Sequence, residues 1–120
     1  MGKVVSWEEL AKLSEELKKK GRRIVTTNGI FDLMHIGHVG FLKLAKQHGD
    51  VLFVGINSDE STRRLKGPTR PVFPQDQRAE ILAALEMVDY VAVFNETDPR
   101  AFLEQVKPCL LYTSPSPRDS

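Results

Sequence analysis

The chain has 120 residues, enough for one domain, and its 41% hydrophobic content is ordinary for a globular protein. Its formal net charge of +1 argues against a broad basic surface for nucleic acid, so any anion site must be local. The single cysteine, Cys109, excludes an internal disulfide framework and fits a reducing cytoplasm. No apolar run approaches the length of a membrane span, and the N-terminus lacks the apolar segment of a signal peptide. We therefore expect a cytoplasmic protein that binds neither nucleic acid nor membranes.

The first quarter of the chain predicts a helix followed by a strand. Ser6 and Glu9 have the spacing of a capping box, so a helix is expected to start directly after Ser6. Leucines then recur at helical spacing as far as Gly21, which stands where a C-terminal glycine belongs. The β-branched run from residue 24 to residue 27 predicts the first strand.

The middle of the chain predicts a helix, a buried strand and a short helix. The second helix is expected from about Gly37 to His48. Its apolar face is predicted to contain three residues, Phe41, Leu44 and Ala45. The apolar run 51–56 is typical of a strand buried on both faces of a parallel sheet. Ser58 is expected to cap a short helix, and the segment 66–74 predicts a loop because it carries three prolines and a glycine.

The last third predicts two further helices and two further strands. Pro74 can open a helix. The apolar stripe of that helix is predicted to contain Ile81, Leu82, Leu85 and Val88. Residues 90–94 predict a third strand, and Asp98 with Pro99 predicts the start of a helix that reaches residue 106. A fourth strand is expected to begin at Cys109.

Alternating strands and helices predict an α/β fold with a Rossmann-like, doubly wound parallel sheet. Such sheets bind ligands beyond the carboxyl ends of their strands, where the strand order reverses. The loops after Thr27 and Asn57 are therefore the places where a site is expected.

The segment from Thr27 to His38 has the features of a polyphosphate site. Gly29 is expected to let the backbone turn tightly and approach a phosphate closely. His35 and His38 are three residues apart at a helix start, so both rings can face one point, and Gly37 between them leaves room for a ligand. The helix N-terminus adds N–H groups and a positive partial charge.

Two other interpretations of the histidine pair remain open on the residues alone. The pair could be incidental surface, or it could bind zinc. A zinc site needs a third and usually a fourth ligand, and the candidates His48 and Cys109 have no motif spacing to the pair.

The sequence His-Ile-Gly-His after a strand that ends Thr-Asn-Gly-Ile-Phe-Asp resembles the cytidylyltransferase-like nucleotidyltransferases. The downstream segments 57–61, 64–67, 70–71, 77–80 and 85–90 are similar to the members that act on heptose 1-phosphate. This similarity runs continuously from about residue 3 to residue 109. It implies the Rossmann-like fold that carries the His-Ile-Gly-His motif.

The resemblance also implies roles for matching positions. His35 and His38 would hold the triphosphate and stabilise charge at the reacting phosphorus, and Lys66 would reach the phosphates from the basic loop. Arg78 matches a phosphate-binding arginine, and Asp32 matches a substrate-binding position. The remaining nucleotide-binding positions are Asn28, Gly29, Ile30, Phe31 and Gly37. The alternative for Lys66 and Arg78 is a solvated surface charge.

The implied reaction is transfer of AMP from ATP to D-glycero-D-manno-heptose 1-phosphate with release of pyrophosphate, which gives ADP-heptose for the lipopolysaccharide core. Mg²⁺ is expected to accompany the ATP, with no metal-binding residue of the protein assigned. The attacking phosphate oxygen is already ionised, so positioning and charge stabilisation suffice. Cytidylyl transfer to glycerol 3-phosphate or a similar phosphoalcohol is the alternative, and a non-catalytic nucleotide-binding fragment is another. A homodimer is compatible with the resemblance.

The resemblance also predicts where the domain stops matching. Beyond Lys107 and Pro108 the relatives continue with a strand, a Gly-Gly-Asp-like segment and a Ser-Thr-Thr-like phosphate-binding motif, none of which follows here. Residues 1–109 are therefore expected to be a partial domain, incomplete at the C-terminus, of marginal stability and little activity. Residues 110–120 have two prolines and no apolar period, so they are expected to be a disordered or non-native tail.

Overall fold

The alternating pattern forms a parallel sheet with helices on both faces in a computed structural model, which describes residues 2–112. The strands are β1 (Lys3–Val4), β2 (Ile24–Gly29), β3 (Val51–Asn57), β4 (Tyr90–Phe94) and β5 (Leu110–Leu111). The helices are α1 (Trp7–Lys19), α2 (Ile36–Gln47), α3 (Asp59–Lys66), α4 (Gln75–Ala83) and α5 (Arg100–Val106). The strand order is β1-β4-β3-β2-β5, and all pairings are parallel. The predicted Rossmann-like, doubly wound fold class is confirmed.

The sheet separates two hydrophobic cores. The side chains on one face of β3 pack with α2 and α4, and they are Leu52, Val54 and Ile56. The alternate set packs with α1 and α5, and it includes Val51 and Phe53. Every residue of β3 is buried, as expected for a strand in the middle of a parallel sheet. The two-residue alternation of side chains along the strand therefore feeds both cores.

Two residues of the predicted apolar faces are exposed. Leu44 of α2 is 51% exposed, and the face turned to the sheet holds Leu42 and Ala45, which lie three apart. Ile81 of α4 is 46% exposed, while its neighbour Leu82 is buried. The buried face of α4 begins with Arg78, which is not apolar. A search for apolar spacing therefore includes the exposed Ile81, one residue before the buried Leu82.

The predicted caps form as hydrogen-bonded structures. The Ser6 hydroxyl accepts from the Glu9 N–H, and the Glu9 carboxylate accepts from the Ser6 N–H at 3.0 Å. The Ser6 backbone N–H lowers the pKa of the Glu9 carboxyl. Gly21 has φ of 75° after α1, where glycine has no steric penalty. Ser58 caps α3, because its hydroxyl accepts from the Ser61 N–H.

Several elements differ from the predictions: β2 extends to Gly29, and α4 ends at Ala83, before Leu85 and Val88 of its predicted stripe. β1 has only two residues, both exposed, and it exists through pairing with β4, so no local pattern marked it. Helix α5 begins at Arg100 instead of Pro99, and the Asp98 carboxylate accepts from the Arg100 N–H at 2.9 Å. Residues 110–111 pair with β2, and Tyr112 packs against Phe41 at 5.2 Å between ring centroids.

Residues 110–112 therefore lie in the folded unit, as the expected fourth strand, and depart from the disordered tail predicted there. Residues 113–120 of that predicted tail lie outside the described residues. The domain boundary at residue 109 stays a prediction. Within residues 2–112, no helix is long and apolar enough to cross a bilayer.

Gly55 allows α5 to approach the centre of the sheet. A Cβ built on Gly55 would lie 2.7–2.9 Å from three ring atoms of Phe102, which is fully buried. We expect Gly55→Ala to lower the free energy of unfolding by about 1–3 kcal/mol through overpacking. Gly40→Ala is the control, because a Cβ there meets nothing within 4 Å. Chemical denaturation measures both, and equal midpoints for the two variants would contradict this account.

Candidate active site

The carboxyl end of β2 is the topological switch point of the sheet. β2 lies between β3, which follows it in sequence, and β5, which ends the described chain. Ligands of doubly wound sheets bind in the crevice at this point. The loop from residue 30 to residue 35 leaves β2 here and leads into α2. The fold therefore directs attention to this loop and to the first turn of α2.

The two histidines of this turn are held by backbone hydrogen bonds. His35 is the N-cap of α2, and its Nδ1 accepts from the Gly37 N–H at 3.0 Å. The Nδ1 of His38 accepts from the His35 N–H at 3.2 Å. The ring centroids lie 4.1 Å apart, so the predicted meeting of the two imidazoles is observed.

These bonds determine the tautomer of both rings. A neutral imidazole whose Nδ1 accepts a hydrogen bond carries its proton on Nε2. Both His35 and His38 therefore carry a proton on Nε2. Two adjacent donors at a helix N-terminus, whose partial charge is positive, form a suitable environment for phosphate oxygens.

Gly37 and the helix amides contact His35, and the ligand-binding roles predicted for them stay predictions. A Cβ at Gly37 would lie 2.7 Å from Cε1 of His35, so the missing side chain makes room for that imidazole. The Gly37 N–H already donates to His35, and the His38 N–H donates to the His35 carbonyl at 3.0 Å. These two amides are therefore already bonded within the first turn of α2.

The tight backbone conformation occurs at Phe31, not at Gly29. Gly29 continues β2 and pairs with Ile56, whereas Phe31 has φ of 51°, the left-handed region. The Phe31 side chain is buried, and its ring centroid lies 5.7 Å from that of His38. The sequence pointed to glycine because glycine adopts positive φ without strain, whereas the structure places that conformation at a bulky residue.

Asp32 binds the loop between α3 and α4. Its Oδ2 accepts from the Val72 N–H at 2.7 Å, and its Oδ1 accepts from the Phe73 N–H at 2.9 Å. Arg70 lies 3.7 Å from Oδ2, and Asp32 is 8% exposed. Both carboxylate oxygens thus have protein partners. The substrate-binding role predicted for Asp32 stays a prediction, and the geometry shows a residue that organises a loop.

Arg78 is buried and bound to protein groups. Nε donates to the Phe73 carbonyl at 2.9 Å, Nη1 donates to the carbonyls of Ile30 and Asn57 at 2.8 and 2.9 Å, and Nη2 pairs with Asp59 at 2.9 Å. Its side chain is 0% exposed. The solvated alternative is therefore wrong. The predicted phosphate contact of Arg78 also does not fit this placement, because four of the five guanidinium N–H groups already donate to protein groups.

Two of the other predicted residues lie at the same edge of the sheet. Asn28 is half-buried at the end of β2 beside Gly55 of β3, and Ile30 is buried with its carbonyl bound to Arg78. Lys66 is exposed in the last turn of α3, and its side chain forms no hydrogen bond or ion pair with other residues of 2–112. Helix α3 starts at the carboxyl edge of β3 and Lys66 lies at its far end, so the contact of Lys66 with phosphates stays a prediction.

Sequence reasoning missed the acidic and amide groups that support Arg78. Asp59 accepts from the Gln75 N–H at 2.8 Å, and the Gln75 side chain accepts from the Asp59 N–H at 2.8 Å. This exchange caps α4, whose own N-cap residue is Pro74 without a side-chain cap. No sequence spacing indicates the pair, because its members start different helices. Within residues 2–112, no three His, Cys, Asp or Glu side chains cluster as metal ligands.

The chain is similar to a protein family and to several known proteins. The model of the family described as cytidylyltransferase-like matches residues 26–116. The bifunctional protein HldE of Nitratiruptor sp. is 52% identical over 108 residues, which are 90% of this chain and 23% of that protein. HldE of Cronobacter sakazakii is 53% identical over 94 residues, 78% of this chain and 20% of that protein. The chain thus spans about a fifth of the length of these curated relatives.

A solved structure shares the fold. The crystal structure of the lipopolysaccharide core biosynthesis protein from Thermoplasma volcanium aligns with a TM-score of 0.68 at 34% identity. The alignment covers 76% of this chain and 73% of that protein.

A parallel Rossmann-like sheet with a histidine pair at its switch point defines a nucleotidyltransferase of the type that carries a His-Ile-Gly-His motif. The chain belongs to the cytidylyltransferase-like family.

Proposed function

We propose that this domain transfers AMP from ATP to heptose 1-phosphate with release of pyrophosphate. The observation that carries the proposal is the pair of Nε2–H donors of His35 and His38 at the start of α2. The donors stand where the strand order reverses, which is the ligand-binding position of this fold.

The chemistry needs no general base. An ionised phosphate oxygen of the acceptor attacks the α-phosphorus of ATP, the new P–O bond forms, and the bond to the bridging oxygen of the leaving pyrophosphate breaks. Negative charge grows on the phosphate oxygens in the transition state. Hydrogen bonds from His35 and His38, with the positive charge of Lys66, offset that charge, and no proton leaves the acceptor.

Mg²⁺ enters this proposal as part of the MgATP substrate. A hard cation prefers oxygen ligands, and the triphosphate supplies them. Asp32, the carboxylate nearest in sequence to the histidines, has both oxygens hydrogen-bonded to the loop at residues 72–73. The described residues around the histidines therefore fit a cation held chiefly by phosphate oxygens.

The heptose assignment rests on the downstream sequence and on the relatives. The segments 57–61, 64–67 and 85–90 resemble adenylyltransferases of heptose 1-phosphate. The most similar relatives reported above are HldE proteins, and the structural neighbour is described as a lipopolysaccharide core biosynthesis protein. ATP, a sugar phosphate, a cytoplasmic location and a homodimer are parts of this proposal.

A pyrophosphate-release assay on the 120-residue chain tests the proposal. ATP and CTP are each combined with heptose 1-phosphate or glycerol 3-phosphate. Because the partial domain is expected to have little activity, we expect a weak release that still exceeds the acceptor-free background with ATP and heptose 1-phosphate. A clear preference for CTP with glycerol 3-phosphate would overturn the proposed substrates. ATP binding in calorimetry without turnover on any acceptor would instead indicate a nucleotide-binding module.

A further inference from the structure

We propose that Asp32 and Arg78 are positioning residues that hold Phe31 in its left-handed conformation and, through the Phe31 ring, orient His38. The catalytic consequence rests on the function proposed above. The structural part rests on the contacts alone.

Phe31 is the strained point of the loop. A bulky side chain at positive φ is an outlier, and it persists only where the surroundings over-determine the conformation. Phe31 has φ of 51°, and its side chain is 2% exposed within the core formed with α2 and α4. Its neighbours must therefore supply the restraint.

Hydrogen bonds fix the backbone on both sides of Phe31. Before it, the Ile30 carbonyl accepts from Nη1 of Arg78 at 2.8 Å. After it, the Asp32 carboxylate accepts from the Val72 and Phe73 N–H groups. The Phe73 carbonyl in turn accepts from Nε of Arg78 at 2.9 Å. The two charged side chains thus meet at Phe73 and close one network around the strained residue.

The network reaches His38 through the Phe31 ring. The ring planes of Phe31 and His38 are inclined by 59° with centroids 5.7 Å apart. Nδ1 of His38 is held on another side by the His35 N–H. The His38 ring also lies 4.1 Å from the His35 ring, so the Phe31 ring is one of several contacts that set the direction of the His38 Nε2–H. Arg78, with a side chain 0% exposed, acts on the site only through such contacts.

Asp32→Asn is the first test, because an amide keeps the size but accepts only one of the two N–H bonds well. A displacement of a catalytic group by about 1 Å is enough for roughly a hundredfold loss of rate, so we expect a kcat loss between tenfold and that value. The KM for ATP should change by less than about threefold, because the Nε2–H donors remain present. The ¹⁵N chemical shifts of the His38 imidazole should change, because the ring is no longer held in one orientation.

Two variants complete the test. Phe31→Asn tolerates positive φ but removes the ring, so it should disturb the His38 signals although Asp32 and Arg78 remain. Asp89→Asn is the matched control, because Asp89 also accepts from a backbone N–H and a cation, those of Leu52 and Lys46. Asp89 lies near the amino ends of the strands, so this variant should leave the His38 signals and kcat unchanged.

The outcomes separate the inference from the proposed function. A wild-type chain without turnover would overturn the function, while the imidazole signals would still test the positioning network. Unchanged His38 signals in folded Asp32→Asn would overturn the inference. A rise in KM for the acceptor at constant kcat would identify Asp32 as a direct substrate ligand and would also overturn it.

Discussion

Replacing His38 by alanine is expected to lower turnover by about a hundredfold to a thousandfold, the usual effect of removing one preorganised donor. The Nε2–H of His38 is a donor on a ring held by the His35 N–H and packed beside Phe31. Negative charge grows on the phosphate oxygens in the transition state, so the hydrogen bond is strongest there and most of the loss should appear in kcat. Steady-state pyrophosphate release measures it.

His35 needs a second variant because it also caps α2. His35→Ala should lower turnover similarly and, through loss of the cap, lower the free energy of unfolding by about 1 kcal/mol. His35→Asn keeps an N-cap side chain and removes the imidazole, so it should restore stability but not turnover.

His48→Ala is the control for both positions. His48 is an exposed residue at the other end of α2, and its ring contacts only Tyr112 among the rings of residues 2–112. Its removal should leave turnover within about twofold, as for a surface substitution. Turnover near that of the wild type in folded His38→Ala would refute the assigned role.

Arg78→Met is expected to lower the free energy of unfolding by about 3–5 kcal/mol, the range for breaking a buried ion pair on one side. The change leaves the carbonyls of Ile30, Asn57 and Phe73 without these donors and removes the cation that pairs with Asp59. The free energy of unfolding of a whole domain is only about 5–15 kcal/mol, so this loss is a large part of it. The variant should therefore unfold at a lower denaturant concentration.

Two further substitutions calibrate the Arg78 result. Arg78→Lys retains the charge but offers three donors in another geometry, so its loss should be intermediate. Arg22→Met removes an exposed arginine and should change stability by less than about 0.5 kcal/mol. Urea denaturation followed by circular dichroism compares the three. A loss for Arg78→Met no larger than that for Arg22→Met would show that the buried network contributes nothing to stability.

The local features of the fold could be predicted because their causes are local. The capping box of Ser6 and Glu9, the Ser58 cap and the buried run of β3 depend on residues close in sequence. The histidine pair was predictable for the same reason, since a three-residue spacing at a helix start brings two rings together. The alternation of these elements was sufficient to predict a parallel, doubly wound sheet.

The sequence by itself determined the order of the elements after β1, the fold class and the presence of His35 and His38 at the start of α2. Only the tertiary structure decided that Phe31 carries the left-handed turn and that Arg78 and Asp32 bind loops. The contacts of Arg78 span 5 to 48 residues of sequence, and Asp32 binds partners 40 and 41 residues away. Sequence patterns report neighbours along the chain, whereas the partner of a buried charge is set by which segments the sheet brings to one edge.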